Sequence, residues 1–297
     1  MGDRPAPADG QTPANDGTET DLESGTTAGT RGRAGLADTL PLRSRDRYER
    51  LGEHARGGIG KITRARDREL GRALAIKEIQ SPAGGAVERF VREARITMRL
   101  EHPSIVPVHD AGRWESGEPF YAMKLVAGRT LKEVVQESPT LAERMTLLPN
   151  IIAVADAIAY AHEQRVIHRD LKASNVLVGA FGETIVIDWG LAKDLSLADD
   201  PFDQEASPYR RAGDATEIGA VVGTPSFMPP EQARGEEVDE RADIYGLGAL
   251  LYFTLSGKAP HDGANSAEVL ARVREQAPVP LAELAPTTPS CAPPSPT

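Results

Sequence analysis

Residues 166–178 read VIHRDLKASNVLV, two short apolar runs enclosing His168, Arg169, Asp170, Lys172 and Asn175. The flanks have the composition of buried strands, so the polar centre is a loop whose two ends are tied to a core. A carboxylate, an ammonium and a carboxamide crowded into such a loop point to chemistry rather than to packing. The rest of the chain has to say which chemistry.

Bulk composition narrows the classes first. With 297 residues, 40% of them hydrophobic, the chain can bury a core of its own. A formal charge of −10 and a pI near 5.2 argue against a nucleic-acid binder, which needs concentrated Lys and Arg. The single cysteine, Cys291, excludes an intramolecular disulfide framework and suits a reducing, cytoplasmic setting. The amino terminus has no basic segment leading into an apolar one, so it does not read as a secretory signal. The longest apolar stretches, LLPNIIAVADAIAYA and IYGLGALLYFTL, are interrupted by Asp156 or are too short for about 30 Å of hydrocarbon, and no membrane segment is expected.

Texture changes along the chain mark its organisation. Residues 1–44 are rich in Gly, Thr, Ala, Pro and Asp and read as a disordered acidic arm. From Tyr48, glycines cluster in ARGGIGKI and RALAIKEI reads as a strand. AVERFVREARITMRL sets Val87, Phe90, Val91, Ala94 and Met98 at helical spacing, and EHPSIVPVHD and PFYAMKLV suggest two more strands. After Gly128 the pattern is mainly helical. Thr140 and Glu143 form the T-x-x-E start of a helix expected to run towards His162, disturbed at Pro149. NVLVGA and ETIVIDWG are β-like, residues 194–219 suggest a mobile loop, and 241–256 suggests a buried helix closed by Gly257. A further short helix is expected in SAEVLARVREQ.

Taken in order, ARGGIGKI, the AIK ending at Lys77, Glu93, HRDLKASN and the DWG beginning at Asp188 resemble the signature set of protein kinases. The resemblance is to bacterial, eukaryotic-like (Hanks-type) serine/threonine kinases, and it covers roughly residues 46–285. It implies an α+β, bilobal fold: a small β-rich N-lobe over 45–126 with one key helix, a mainly helical C-lobe over 127–285, and a Pro-rich tail over 286–297. The implied ligands are ATP and Mg²⁺, and the implied partners are proteins bearing Ser or Thr.

Physical chemistry supports each implied role. Clustered phosphate charge calls for close backbone N–H groups, a fixed cation and a metal held by hard oxygens. Gly57, Gly58 and Gly60 would let a hairpin approach the phosphates, although Ala55 stands where the family has another glycine. A lone lysine at a strand end ordinarily snorkels to solvent. In this context Lys77 becomes the phosphate cation, paired with Glu93. Asp170 resembles the catalytic aspartate that accepts the substrate proton, Lys172 the γ-phosphate cation, and Asn175 and Asp188 the Mg²⁺ ligands. Ile62, Ala75, Met123, Leu125, Val126 and Leu177 would enclose the adenine, and Ala127 replaces an acidic residue that often meets the ribose.

Several positions would be structural or regulatory. Arg169 would hold a phosphorylated loop residue, with Ser196, Ser207, Tyr209 and Thr216 as candidates. Thr224 in VGTPSFMPPE would bridge to the catalytic loop, and Asp243 would hold that loop's backbone. Trp189 replaces the usual Phe beside Asp188, and Pro229 a usual alanine. His168 is expected to be a packing hub. The family normally adds further helices after SAEVLARV and an arginine for Glu231, so the C-lobe is expected to be incomplete, from a truncated or shifted frame. Beside an active kinase stands the alternative of a catalytically impaired nucleotide-binding or scaffold module. A small-molecule phosphotransferase fits HRDLKASN and VGTPSFMPPE less well.

Overall fold

The computed structural model describes residues 36–56, 60–80, 85–197 and 225–284. Six strands form its largest sheet: β1 (Leu42–Arg43), β2 (Tyr48–Arg56), β3 (Gly60–Asp67), β4 (Ala73–Ile79), β5 (Val108–Trp114) and β6 (Pro119–Lys124). Their spatial order is β1, β5, β6, β4, β3, β2, antiparallel throughout except for the parallel β1–β5 edge. Alternating side chains supply two apolar faces. Tyr48, Ala65, Leu74, Ile76, Trp114, Phe120 and Ala122 fill one, with the Trp114 and Phe120 rings stacked at 3.6 Å.

The other face receives α1 (Ala86–Arg99), which follows Gly85 in a left-handed conformation. Phe90 and Ala94 of α1 pack on Ile79, Ala111 and Tyr121, with Val87 at their margin. Met98 departs from the sequence reading: it is 44% exposed, and the inward positions near the helix end are Ile96 and Thr97. EHPSIVPVHD departs too. Pro103 and Pro107 lack the N–H a strand ladder needs, so the strand of the large sheet begins only at Val108 and runs on to Trp114, while the buried Ile105 makes a single parallel bridge to Val186.

Part of the stretch 1–44 expected to be structureless is ordered, from residue 36 onward. Leu36–Thr39 form a 3₁₀ turn, Leu40 packs at the edge of the α1 cluster, and β1 pairs with β5 in the register Leu42–Arg113. Leu40 is the large apolar side chain that gives this segment something to bury. Residues 1–35 of that arm and the 286–297 tail lie outside the described residues, as does the loop expected over 194–219 from residue 198 onward.

From β7 (Arg129–Thr130) onward helices dominate. Capping boxes start α2 (Leu131–Gln136) at Thr130 with Glu133, and α3 (Leu141–Met145) at Thr140 with Glu143. The expected continuous helix to His162 is two: the chain turns at Thr146–Leu147 and restarts as α4 (Leu148–Glu163). Pro149 sits in the first turn of α4, where the missing N–H has no intrahelical partner to lose. Val154, Ala157, Ile158 and Ala161 of α4 share a core with Leu250 and Phe253 of the helix Arg241–Ser256. The stretch Leu141–Glu163 has the length and hydropathy of a membrane span, but its inward residues are committed to this core.

Four short strands then frame the polar loop. β8 (Val166–Ile167) precedes it and pairs with β11 (Lys193–Asp194); β9 (Val176–Val178) follows it and lies between β7 and β10 (Thr184–Val186). Val166, Ile167 and Val176 are buried, so both ends of the loop are anchored, as its sequence suggests.

Candidate active site

Lys77 stands on β4 opposite Ile62 of β3 and Tyr121 of β6, which sends its side chain to the face covered by α1. Its Nζ donates to Glu93 Oε1 at 2.5 Å and lies 3.6 Å from Asp188 Oδ1. Burial alone would lower the lysine's pKa, but Glu93, and after it Tyr121 and Asp188, hold it well above its ordinary value. Lys77 is therefore a permanent cation. Enclosure by the cleft walls raises the Asp188 carboxyl, and Lys77, then Lys172 and His168, pull it below the usual carboxylate range. Asp188 has φ 64°, a strained value for a residue with a side chain. A Cβ at Gly190, two residues on, would lie 3.3 Å from Asp188 Oδ1 and 3.5 Å from Glu93 Oε2, so the missing side chain leaves room beside the two carboxylates.

The loop quoted from the sequence is locked from below. Asp243, in the first turn of the helix Arg241–Ser256, is 1% exposed and accepts from the backbone N–H groups of His168 at 2.8 Å and Arg169 at 2.9 Å. His162 Nε2 lies 2.9 Å from the same carboxylate, and Gln232 Nε2 donates to the Arg169 carbonyl at 3.0 Å. Arg169 has φ 64° and its Nε donates to Leu191 O at 2.6 Å. On the upper side, Asp170 Oδ2 accepts from Lys172 Nζ at 2.6 Å and from Asn175 Nδ2 at 3.1 Å. Asn175 also donates to the Asp170 carbonyl at 2.9 Å, which fixes the loop's width.

Trp189 is fully buried and packs its ring on His168 at 4.6 Å. It belongs to the same apolar cluster as Ile96 and Leu100 near the end of α1. The Asp188 turn and the end of the helix that carries Glu93 thus share one apolar core, and His168 is fully buried against Trp189.

With this geometry fixed, comparison with known proteins is direct. Residues 47–294 match the family described as the protein kinase domain. The chain belongs to the protein kinase family. Its relatives include the serine/threonine-protein kinase PknD of Protochlamydia amoebophila, 35% identical over 237 residues, which cover 74% of this chain and 24% of that protein. PknB of Mycolicibacterium smegmatis is 36% identical over 250 residues, 82% of this chain and 37% of the relative. The kinase pkn2 of Myxococcus xanthus is 38% identical over 259 residues, 84% and 29%. The chain thus spans about a quarter to somewhat over a third of the length of these three bacterial serine/threonine-protein kinases.

The remaining kinase motif residues divide three ways. Ala75 and Met123 are sheet partners on β4 and β6; Ala75 is buried, while Ile62, Met123, Leu125, Val126 and Leu177 are half-buried. Gly57, Gly58 and Thr224 lie outside the described residues, as do Ser207, Tyr209 and Thr216. Gly60 is described, and a Cβ there would meet Glu78 O at 2.8 Å, so β3 can lie this close to β4 only with glycine at that point. Ser196 is tied to Asp194 through both its N–H and its hydroxyl. Glu231, in the short helix Pro230–Arg234, has no ion-pair partner among the described residues.

Sequence reading missed Tyr121, His162 and Gln232. Tyr121 was legible in part: once Lys77 is on a strand, its cross-strand neighbour in PFYAMK shares its face. His162 and Gln232 meet the catalytic loop only through tertiary packing, and no spacing in the sequence announces them.

The donors present suit a nucleotide with its metal. Asp188 is 48% exposed with a free edge, and Asn175, its amide nitrogen committed to Asp170, has its Oδ1 to offer. Mg²⁺ takes one or two such protein oxygens and completes its shell with phosphate and water. Among the described residues no group of three or more His, Cys, Asp or Glu side chains is placed to hold a metal ion.

Proposed function

We propose that this chain is an ATP-dependent protein serine/threonine kinase that transfers the γ-phosphoryl group of Mg-ATP to Ser or Thr hydroxyls of protein substrates. Its own hydroxyls are included, and it acts in bacterial cytoplasmic signalling. The observation that carries this reading is a pair of linked clusters: Lys77 held between Glu93 and Asp188, and Asp170 held between Lys172 and Asn175, with Lys172 helping to pull the Asp188 carboxyl down and Ile187 N–H donating to the Asn175 carbonyl at 2.9 Å.

Their division of labour follows from charge. Lys77, permanently protonated, orients the α- and β-phosphates, while Ile62, Ala75, Met123, Leu125, Val126 and Leu177 enclose the base. Asn175 and Asp188 hold the Mg²⁺, which supplies positive charge to the phosphate oxygens when bound. Asp170 Oδ2 is occupied by Lys172 and Asn175, so Oδ1 is the oxygen that receives the substrate hydroxyl. As the substrate oxygen bonds to the γ-phosphorus and the bond to the ADP oxygen breaks, the hydroxyl proton passes to Asp170. Lys172 stands beside the charge in flight. Arg169 anchors a phosphorylated loop residue.

Mg-ATP-dependent transfer of labelled phosphate, to the chain itself and to a generic basic protein, tests the proposal with Asp170→Asn as control. Transfer that vanishes in the variant supports it. A folded chain that binds nucleotide yet transfers nothing would make it a nucleotide-binding module, and transfer to an aminoglycoside but to no protein would make it a small-molecule phosphotransferase.

A further inference from the structure

Glu93 is held by more than a lysine. The Tyr121 hydroxyl donates to Glu93 Oε1 at 2.6 Å, the same oxygen that accepts from Lys77 at 2.5 Å. Tyr121 is 3% exposed and directly opposite Lys77 in the β4–β6 ladder, so both side chains point at α1. Its ring also packs on Phe90 with centroids 5.2 Å apart, one turn of α1 before Glu93. Tyr121 therefore touches α1 at two levels, once through its ring and once through its hydroxyl. The Lys77 ammonium lies 5.7 Å from the centroid of the same ring.

We infer that Tyr121 is a positioning residue that holds α1 and Glu93 in place independently of Lys77, so the Lys77–Glu93 pair is assembled before nucleotide enters. Lys77 has competing duties. It already lies 3.6 Å from Asp188, and on the kinase reading, on which this inference rests, it also shares its three donors with phosphate oxygens. The Tyr121 hydroxyl has one proton and gives it to Glu93. Burial, and after it the charge of Glu93, raise the phenol well above its ordinary value, so the donor is present at any working pH. A helix held only by Lys77 would loosen whenever that lysine turned to phosphate. A second donor on the carboxylate removes that dependence.

Hydrogen exchange of the α1 amides in the full chain without nucleotide tests this directly, comparing wild type, Lys77→Met, Tyr121→Phe and the double variant, with α4 amides as the control for intact folding. Each single change is expected to raise α1 exchange by less than about threefold and the double change by on the order of tenfold, about 1.4 kcal/mol. Glu93→Gln, which keeps an acceptor for the phenol but loses its charge, is expected to stay close to wild type. If Lys77→Met alone releases α1 as fully as the double variant, or Tyr121→Phe adds nothing in either background, the inference is overturned. Steady-state kinetics give a second readout. Tyr121→Phe is expected to lower kcat/KM for ATP about tenfold and leave KM for the protein substrate unchanged, and equal effects on both substrates would mark a merely structural role. A wild-type chain that transfers no phosphate would overturn the kinase reading, while the exchange comparison would still decide the role of Tyr121.

Discussion

Asp243 Oδ1 accepts the backbone N–H of Arg169 at 2.9 Å, and through that bond a buried helix residue sets the conformation of a loop 74 positions earlier in the chain. Arg169 adopts φ 64°, which a residue with a side chain avoids unless its surroundings fix it. With His168 N–H and His162 on the other oxygen, the carboxylate uses both of its edges. In Asp243→Asn, one of those edges becomes an amide that faces an N–H group. Hydrogen bonds to charged groups contribute roughly 1.5–3 kcal/mol, and a stability loss of about that size is expected in urea denaturation. Phosphate transfer is expected to fall more steeply than folded fraction, because the strained loop relaxes first. Full activity in the folded variant would show that the loop keeps its shape without Asp243.

Asp170→Asn separates chemistry from binding. The replacement keeps an oxygen for Lys172 but leaves no carboxylate to accept the hydroxyl proton, and general-base contributions of about 10²–10⁴-fold are typical. Transfer is expected to drop by that order while Mg-nucleotide affinity, measured by titration, stays within about twofold of wild type. Equal losses in both would mean that Asp170 serves the metal site rather than the substrate.

Much of this candidate site is legible in the order of residues alone, because the groups proposed to meet phosphate or metal belong to short contiguous motifs whose flanks are strands. Lys77, Asp170, Lys172, Asn175 and Asp188 are of that kind. Glu93 is legible only through its place in the helix after the AIK strand, since a lone helix glutamate ordinarily faces solvent; the structure buries it beside Phe90 and Ala94. What stays hidden is what depends on distant packing: His162 and Gln232 approach the loop from other helices, and Leu40 gives order to a segment whose composition reads as loose. Boundaries also slip where proline acts on the backbone, at Pro107 before β5 and at Pro149 in the first turn of α4.

Acid sensitivity is expected at His261. Burial, reinforced by Arg272 and opposed by Asp262, lowers its pKa below the usual 6.5, and Tyr245 OH is 3.4 Å from its Nε2. The sign is set by which state takes the proton first. The unfolded chain protonates this histidine near its ordinary pKa, before the folded one does. Its contribution to stability is therefore whole above that pKa and shrinks as pH falls towards the folded value. His109, also lowered, adds a slope of the same sign. Urea denaturation at about pH 7 and about pH 5.5 is expected to show a smaller pH-dependent loss in His261→Gln than in wild type. Parallel losses would assign the slope to other groups.

Two glycines of one helix give the sharpest contrast. Gly246 and Gly248 both lie inside Arg241–Ser256, where glycine costs backbone entropy relative to alanine. A Cβ on Gly248 would meet nothing within 4 Å, and Gly248→Ala is expected to stabilise the fold by about 0.4–1 kcal/mol. A Cβ on Gly246 would stand 3.0 Å from Leu171 Cβ and 3.5 Å from Leu171 O. Leu171 joins Asp170 to Lys172 and is buried, so it cannot yield without moving both. Overpacking of this kind costs roughly 1–3 kcal/mol, enough to outweigh the helix gain. Gly246→Ala is therefore expected to reverse the sign seen at Gly248 in denaturant unfolding and to lower phosphate transfer as well, since the displaced backbone carries Asp170. Matching stabilisation at both positions would mean that the helix can shift away from the loop, and that the close contact at Leu171 does not set the position of Asp170.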